Sequence, residues 1–429
     1  VAATGRWLVG LRPEVVFFSN GPGEVAGWLS PVLRCLCSNP ASRPRLTVMV
    51  PPCDFASGRE AGLIESKFEV DQIVDPRKYL RSLLLGPRAS GLVFESRRGV
   101  VVHLGGDHFQ SGLMAKRLGF AAIAYTEGKM HHRHFFQLIV TDYIESKKRL
   151  VAAGVPEEQV VVIGNLMVDA VAVHCDRSSI AQSAGLDLSS PVVGLLPGSR
   201  PGWLDLTLHL FLAAADLVAA GSGEIQFILP LAPTITWEDV AATTKRLGVS
   251  LVVGRTGNHS SDSRWGHIIT SSGTKIAVGA SNRYDIMNCM DVAVTLPGTN
   301  TMELSALGIP MVVVVPLNEP RKIPLEGLAG LIGGIPVVGP LVKSKAVSRL
   351  AQRTTFASLP NRRAGEHVVP EVIGRLTPQD IAGPLQELLH SPSERERIAE
   401  RLKEIAGPPG AARRLADLIM DRFASPGNS

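Results

Sequence analysis

Three stretches in the second half of this 429-residue chain carry residue types, at spacings, that suit a phosphorylated ligand. In "GLLPGSRPGWLDL" an apolar run ends at Gly198, Ser199 and Arg200, and a helical pattern begins. A strand-to-helix turn of small residues exposes backbone N–H groups at the positive end of a helix, which suits a phosphate. Arg200 adds a planar fork for two phosphate oxygens. An ordinary βα turn with a surface arginine has the same spelling. In "DVAVTLPGTNTMELSALGIPMVVVV" a second strand ends at Gly298, Thr299, Asn300 and Thr301, with Glu303 in the first turn of the next helix. A carboxylate there can accept from both ribose hydroxyls of a nucleotide whose phosphates meet the same loop. Asn300 and Glu303 fit an N-cap and capping box equally well. Two phosphate-friendly loops in one region tilt toward a nucleoside diphosphate. In "FASLPNRRAGEHVVPEVIGRLTPQDIA", Asn361 either bonds a substrate or forms a turn after a proline, ahead of a helix expected to begin near Ala364.

Near the start, "VVFFSNGPGEVAGW" also places glycines, Gly21, Gly23 and Gly27, after a β-branched run. The spacing is one residue longer than a dinucleotide fingerprint, and no ribose-binding acid follows the second strand at the right distance. Glu24 stands inside the loop, where its carboxylate would repel a pyrophosphate. An NAD-binding reading is therefore excluded, and the loop must hold something else.

The elements that would carry these loops alternate along the whole chain. Strand-like runs "EVVFFS", "LTVMVP", "GVVVHLG", "AAIAYT", "LIVTD" and "VVVIG" form a first set. A second set reads "VVGLLPG", "IQFILPL", "SLVVG", "KIAVG", "VAVTLPG" and "MVVVVPL". Near-continuous Val/Ile/Leu runs predict strands buried on both faces, as in parallel sheets. Two successive βα sets predict two doubly wound Rossmann-like α/β domains with a ligand cleft between them. The expected boundaries are 1–175, 176–375 and a helical tail over 376–429, with "HCDRSSIAQSAGLDLSS" as linker and "GRTGNHSSDSRWG" as a mobile loop.

Composition narrows the class. A 45% hydrophobic chain with 42 glycines and 30 prolines reads as a compact enzyme with many tight turns. The net charge of +5 is scattered, which argues against a nucleic-acid groove and is compatible with anionic substrates or an anionic membrane. Cys35, Cys37, Cys53, Cys175 and Cys289 form an irregular set, suited to a reducing compartment rather than to disulfides or a zinc site. His131, His132 and His134 in "KMHHRH" lack acidic or Cys partners at ligand spacing and read as a solvated basic patch rather than a metal site. No signal peptide and no membrane-spanning helix is expected.

The stretches "LLPGSR", "PGTNTMELSALGIPMVVV" and "LPNRRAGEHVVPE", in this order, resemble the lipid A disaccharide synthases, inverting glycosyltransferases that join two acylated glucosamines. "VIGNLMVDAV" and "ILPLAPT" add to the resemblance, which covers most of residues 15–390. It implies a GT-B fold, a UDP-sugar donor in the C-terminal domain, a lipid-linked sugar acceptor in the N-terminal domain and a homodimer. It also implies a cytoplasmic enzyme peripheral to the inner face of the membrane, with no cofactor. Carried over by motif, Arg200 would neutralise the diphosphate, Thr299 and Glu303 would hold UDP, and Asn361 would line the site. Gly23, Glu24, Val25, Ala26 and Gly27 match the family's "GEASGD"-type loop, which would contact sugar or acceptor. Trp28 stands where that family has an aspartate.

A further departure concerns the base that must take the acceptor proton as the sugar bond breaks. The family's "GIDAPDFN"-type loop supplies carboxylates; here "HLGGDHFQSGL" retains Asp107 as the match to the first and places Gln110 at the second. Asp107 would act as base, although a helix N-cap accounts for the same residue without the family. The family's apolar membrane-facing segment is replaced by the more charged "REAGLIESKFEVDQIVDPRKYLRSLLLG". The run 323–342, apolar except for Glu326 and flanked by Arg321, Lys322, Lys343 and Lys345, either packs inside the C-terminal domain or, as is expected here, lies shallowly in a membrane interface. No Asp-x-Asp motif follows a strand, so leaving-group charge falls to Arg200 and the helix N-termini. Two rivals share the architecture: a UDP-sugar 2-epimerase, and a catalytically silent nucleotide-sugar-binding protein.

Overall fold

The computed structural model describes residues 12–52, 58–86, 91–221, 223–254, 265–280, 282–318 and 355–424. The chain forms two compact units, one running to Ala170 and resumed from Pro408, the other spanning Val171–Gly407. The run 323–342 lies outside the described residues, as does most of the polar tract at 254–266.

The first unit is built on β1 (Glu14–Phe18), β2 (Arg45–Met49), β3 (Gln72–Val74), β4 (Gly99–His103), β5 (Ala121–Thr126), β6 (Leu138–Thr141) and β7 (Val160–Val162). All pairings are parallel, in the order β3-β2-β1-β4-β5-β6-β7. Strand side chains alternate between faces. Val15 and Phe17 join one core with Leu33 and Ile64, while Val16 and Phe18 join another with Tyr79 and Met114. These partners come from α2 (Ser30–Cys37), α3 (Glu60–Lys67), α4 (Pro76–Leu85) and α5 (His108–Leu118). The "GPGEVAGW" stretch is helical: α1 (Pro22–Glu24) passes through a π-turn, Val25–Leu29, into α2. α6 (Ile144–Ala152) and α7 (Leu166–Ala170) complete the unit with the last described helix, Ala411–Ala424. Ala411, Leu415 and Ile419 of that helix enter the first core. Its start is fixed by Asp169, whose carboxylate accepts from the N–H groups of Gly410 and Ala412, each at 2.5 Å.

The second unit contains β8 (Val192–Leu196), β9 (Gln226–Pro230), β10 (Ser250–Gly254), β11 (Trp265–Ile269), β12 (Lys275–Gly279), β13 (Val292–Thr295), β14 (Met311–Pro316) and β15 (Glu371–Gly374). The order is β10-β11-β12-β9-β8-β13-β14-β15. The segment β12-β9-β8-β13-β14-β15 is parallel and doubly wound, like the first sheet, with β10 and β11 added antiparallel at one edge. This edge corrects the expectation that "SLVVG" is buried on both faces, because Val252 is 53% exposed. Among the described strands its one neighbour is β11.

The helices here are α8 (Arg177–Ala184), α9 (Pro201–Gly221), α10 (Trp237–Leu247), α11 (Arg283–Met287), α12 (Thr299–Leu307), α13 (Leu359–Ala364), α14 (Pro378–His390) and α15 (Pro392–Ala406). The last described helix is α16, the Ala411–Ala424 helix already met. The helical tail is thus divided, α14 and α15 belonging to the second unit and α16 to the first. The expected linker holds α8, started by Asp176, which accepts from Ser179 N at 2.6 Å, and stopped by Gly185 in the left-handed region. The helix expected to begin near Ala364 instead ends there, because Ser358 is its N-cap and Gly365 adopts a positive φ of 70°. Among the described residues, α9 is the one helix apolar and long enough to cross a membrane. Leu204, Leu208, Phe211 and Ala215 of this helix are buried, and it packs on α14.

Candidate functional site

In an open doubly wound sheet, ligands bind beyond the carboxyl ends of the strands where the winding reverses. In the first unit that point lies between β1 and β4, which pair directly from Glu14↔Gly99 to Phe18↔His103. The two loops leaving these strands hold Glu24 and Asp107. Glu24 folds back so that Oε2 accepts from the N–H groups of Asn20, 3.2 Å, and Gly21, 3.1 Å. Gly105 makes room for it. Gly27 serves packing: a Cβ there would stand 3.1 Å from Met167 Cγ. Gly23 lies in α1, half-buried. Trp28 meets Tyr125 edge-on at 5.4 Å.

Asp107 is exposed and is the N-cap of α5, with Oδ1 accepting from Phe109 N at 2.7 Å and Gln110 N at 3.3 Å. Oδ2 takes no part in the cap. Gln110 accepts from the buried Tyr79 hydroxyl at 2.5 Å. Burial, with the Asp107 charge adding to it, pushes the Tyr79 hydroxyl well above its ordinary value.

Sequence reasoning missed the imidazoles behind this loop. His103 ends β4, is buried, and its Nδ1 lies 3.0 Å from Ser111 Oγ. Its ring stacks on His108 at 4.2 Å. Burial holds His103 down to about 3 and His108 down to about 4, so both are neutral at pH 7. The signal was present in a histidine closing a buried strand, with Ser111 eight residues on in the next helix. His131, His132 and His134 are exposed beside a short turn at Arg133–Phe135. Among the described residues no cluster of His, Cys, Asp and Glu is disposed to hold a metal ion.

In the second unit the winding reverses between β8 and β13, whose ends carry the two phosphate-friendly loops. Thr207 Oγ1 donates to Pro197 O at 2.7 Å and Thr234 Oγ1 to Ser199 O at 2.5 Å, which fixes the first loop. Arg200 precedes α9, its carbonyl accepting from Trp203 N and Leu204 N. Gly298, at φ 145°, is the N-cap of α12, and Asn300 donates to Thr295 Oγ1 at 2.7 Å. Gly198, Ser199 and Asn300 line one small concavity, joined by Pro230, Met287 and a residue the sequence had not flagged, Arg283.

Glu303 is not in the first turn of α12 and caps nothing. It is fully buried and paired with Arg283, with Tyr284 OH at 3.4 Å. Burial raises the Glu303 carboxyl and Arg283 only partly offsets this. Burial also works against the Arg283 charge, but Glu303 and Tyr284 outweigh it and hold the guanidinium above its ordinary value. Thr301 is buried and donates back to Gly298 O at 2.8 Å, while Thr299 is half-exposed at the helix start. Asn361 does not line this concavity. Its amide donates to Val369 O and Glu371 Oε1, and its oxygen accepts from Val368 N and Val369 N, so every strong bonding direction is spent on its own loop.

No family model matches the chain. The chain is 29% identical over 273 residues to the lipid-A-disaccharide synthase of Geobacter metallireducens, covering 63% of this chain and 58% of that protein. It is 30% identical over 272 residues to the synthase of Trichlorobacter lovleyi, covering 62% and 58%. The chain is a divergent relative of the lipid-A-disaccharide synthases. It spans less than two thirds of the length of the curated relatives it matches. Among solved structures it is similar to UDP-GlcNAc 2-epimerase from Neisseria meningitidis bound to UDP-GlcNAc, at TM-score 0.55 and 14% identity over 95% of this chain and 100% of that one. The 2-epimerase of Methanocaldococcus jannaschii gives TM-score 0.52 and 11% identity over 96% and 100%. At these identities the likeness is one of fold: the two doubly wound units are those of the GT-B class.

Proposed function

We propose that this synthase relative is an inverting glycosyltransferase that moves an acylated glucosamine from UDP to a lipid-linked sugar acceptor. The observation that carries the reading is the meeting of the Gly198–Ser199 loop and Asn300 at the winding reversal of the second unit, with a guanidinium on the same wall. That is a place for a phosphate oxygen of a diphosphate, and the curated relatives support the rest of the reading. Arg200, at the head of α9, neutralises the leaving diphosphate, and Thr299 joins it at the head of α12. Glu24 and Asp107, brought to the reversal of the first unit, meet the acceptor. The acceptor hydroxyl attacks the anomeric carbon, its proton passes to Asp107 Oδ2, and the bond to UDP breaks with its electron pair leaving on the phosphate. Configuration inverts.

Work at a membrane surface fits α4. Its solvent side carries Arg77, Leu80, Arg81, Leu84 and Leu85, with Leu84 78% and Leu85 62% exposed. Exposed leucines interleaved with cations suit an anionic bilayer at the cytoplasmic face.

The deciding experiment is incubation with UDP-2,3-diacylglucosamine and its monophosphate acceptor, following UDP release and product mass. Disaccharide and free UDP support transfer. A UDP-sugar of unchanged mass but altered configuration supports the 2-epimerase alternative, for which Glu24, Asp107 and His108 offer acid–base groups. Binding of UDP with no turnover leaves a silent nucleotide-sugar-binding protein.

A further inference from the structure

Arg283 stands out because half of its guanidinium is spoken for and half is not. Nη2 bonds Glu303 and lies 3.4 Å from Tyr284 OH, and Cζ stands 5.0 Å from the Tyr284 ring centroid. The described residues give Nε and Nη1 no hydrogen bond. α11, which carries it, is itself firmly held: Asn282 donates to Ala172 O at 2.8 Å, and Asp285 accepts from His174 N at 2.6 Å and Cys175 N at 3.2 Å. The guanidinium is therefore held through Nη2 and offers Nη1, on the wall of the concavity that Gly198, Ser199 and Asn300 also line.

A buried ion pair gives little net stability, since desolvation offsets the attraction. It does fix a direction. The concavity is about 30 Å³, room for roughly one water-sized group, so a single ligand oxygen enters rather than a base or a sugar ring. A guanidinium N–H makes a charge-assisted hydrogen bond to an anionic phosphate oxygen, stronger than its bond to a neutral hydroxyl. With Glu303 cancelling much of its charge, the contribution of Arg283 is orientation of the ligand rather than a stronger field.

We propose that Arg283 is a ligand-binding residue of the second unit, donating from Nη1 to a phosphate oxygen of a nucleoside diphosphate sugar while Glu303 and Tyr284 hold Nη2. This rests on the nucleotide-sugar reading above.

The test is calorimetric titration of the whole chain with UDP and, separately, uridine, on wild type and two variants. Arg283→Lys keeps a charge opposite Glu303 but lacks a second nitrogen for the ligand. Arg283→Met combined with Glu303→Gln removes both charges, so no buried carboxylate is left unpaired, and a thermal melt reports its folding. UDP affinity is expected to fall about 10- to 100-fold in both, the worth of a charge-assisted hydrogen bond, with uridine affinity within about twofold of wild type. Wild-type UDP affinity in either folded variant overturns the assignment and leaves the nucleotide-sugar reading standing. An equal loss for uridine also overturns it, because Arg283 would then shape the pocket rather than meet phosphate. A wild-type chain that binds no UDP removes the nucleotide-sugar reading and this one with it.

Discussion

The carboxylate of Glu24 occupies the space where a side chain at position 105 would stand: a Cβ on Gly105 would lie 2.0 Å from Oε2 and 2.4 Å from Cδ. The loop after β4 thus keeps a glycine so that an acid from the loop after β1 can sit against it. Gly105→Ala must push Glu24 off the Asn20 and Gly21 N–H groups. Overpacking of this kind costs about 1–3 kcal/mol. We expect a lower melting temperature and a loss of transfer, with UDP affinity retained. Adding Glu24→Ala should restore much of the stability but not the activity. A Gly105→Ala protein that melts and turns over like wild type would show that the contact serves neither.

Much of this arrangement was legible in the sequence, and the failures have identifiable causes. The long Val/Ile/Leu strands around the two winding reversals were readable because strands buried on both faces leave an uninterrupted apolar run. β3 is three residues long, and β15 reads as "EVIG", so neither carries enough pattern to be seen. β11 begins inside a polar tract. Arg283 was invisible because "NRYDI" reads as a surface turn; what makes it a pocket residue is Glu303, twenty positions away in sequence. Glu303 stands out by motif, but its partner Arg283 is a side chain that spacing cannot reveal. Asn361 shows the opposite failure. A motif match attracted a functional role to a residue whose bonds all serve the loop at 368–371.

Asp107→Asn separates the two duties of Asp107. Asparagine caps a helix about as well as aspartate, so α5 should start as before and the melting temperature should hold. The proton acceptor is lost, which is expected to slow transfer by roughly two to four orders of magnitude without changing UDP affinity. Steady-state turnover and calorimetry on the same preparation check both halves. Near-full turnover would remove Asp107 as the base and make Glu24 the next residue to test.

The stacked histidines predict how stability depends on pH. Burial depresses His103 to about 3 and His108 to about 4, below the 6.5 of an unfolded imidazole. Between those values the unfolded chain binds protons that the folded chain refuses, so stability is fully present above about pH 6.5 and falls as the pH drops. Each imidazole contributes a slope of about 1.4 kcal/mol per pH unit inside that window. Denaturant midpoints from pH 7.5 to 4.5 should decline accordingly, and His108→Phe should flatten the slope. An unchanged slope in that variant would mean the ring is hydrated and titrates normally.

The last prediction concerns α4 and the bilayer. Leu84 and Leu85 are largely exposed, so replacing both with serine should change folding stability by no more than about 0.5 kcal/mol each. If the helix lies on a membrane, the same change removes about 1.5–3 kcal/mol of burial per leucine. The flanking Arg77, Lys78 and Arg81 would each add about 1 kcal/mol of attraction to anionic lipid, and that part should weaken with salt. Co-sedimentation with phosphatidylserine-containing vesicles is expected to show wild type pelleting at low salt and the double variant remaining in solution with an unaltered melt. A double variant that still pellets would take the docking role away from α4. Serines at Leu328 and Leu331, in the apolar run 323–342, then provide the next comparison, and release by those alone would place the membrane contact there.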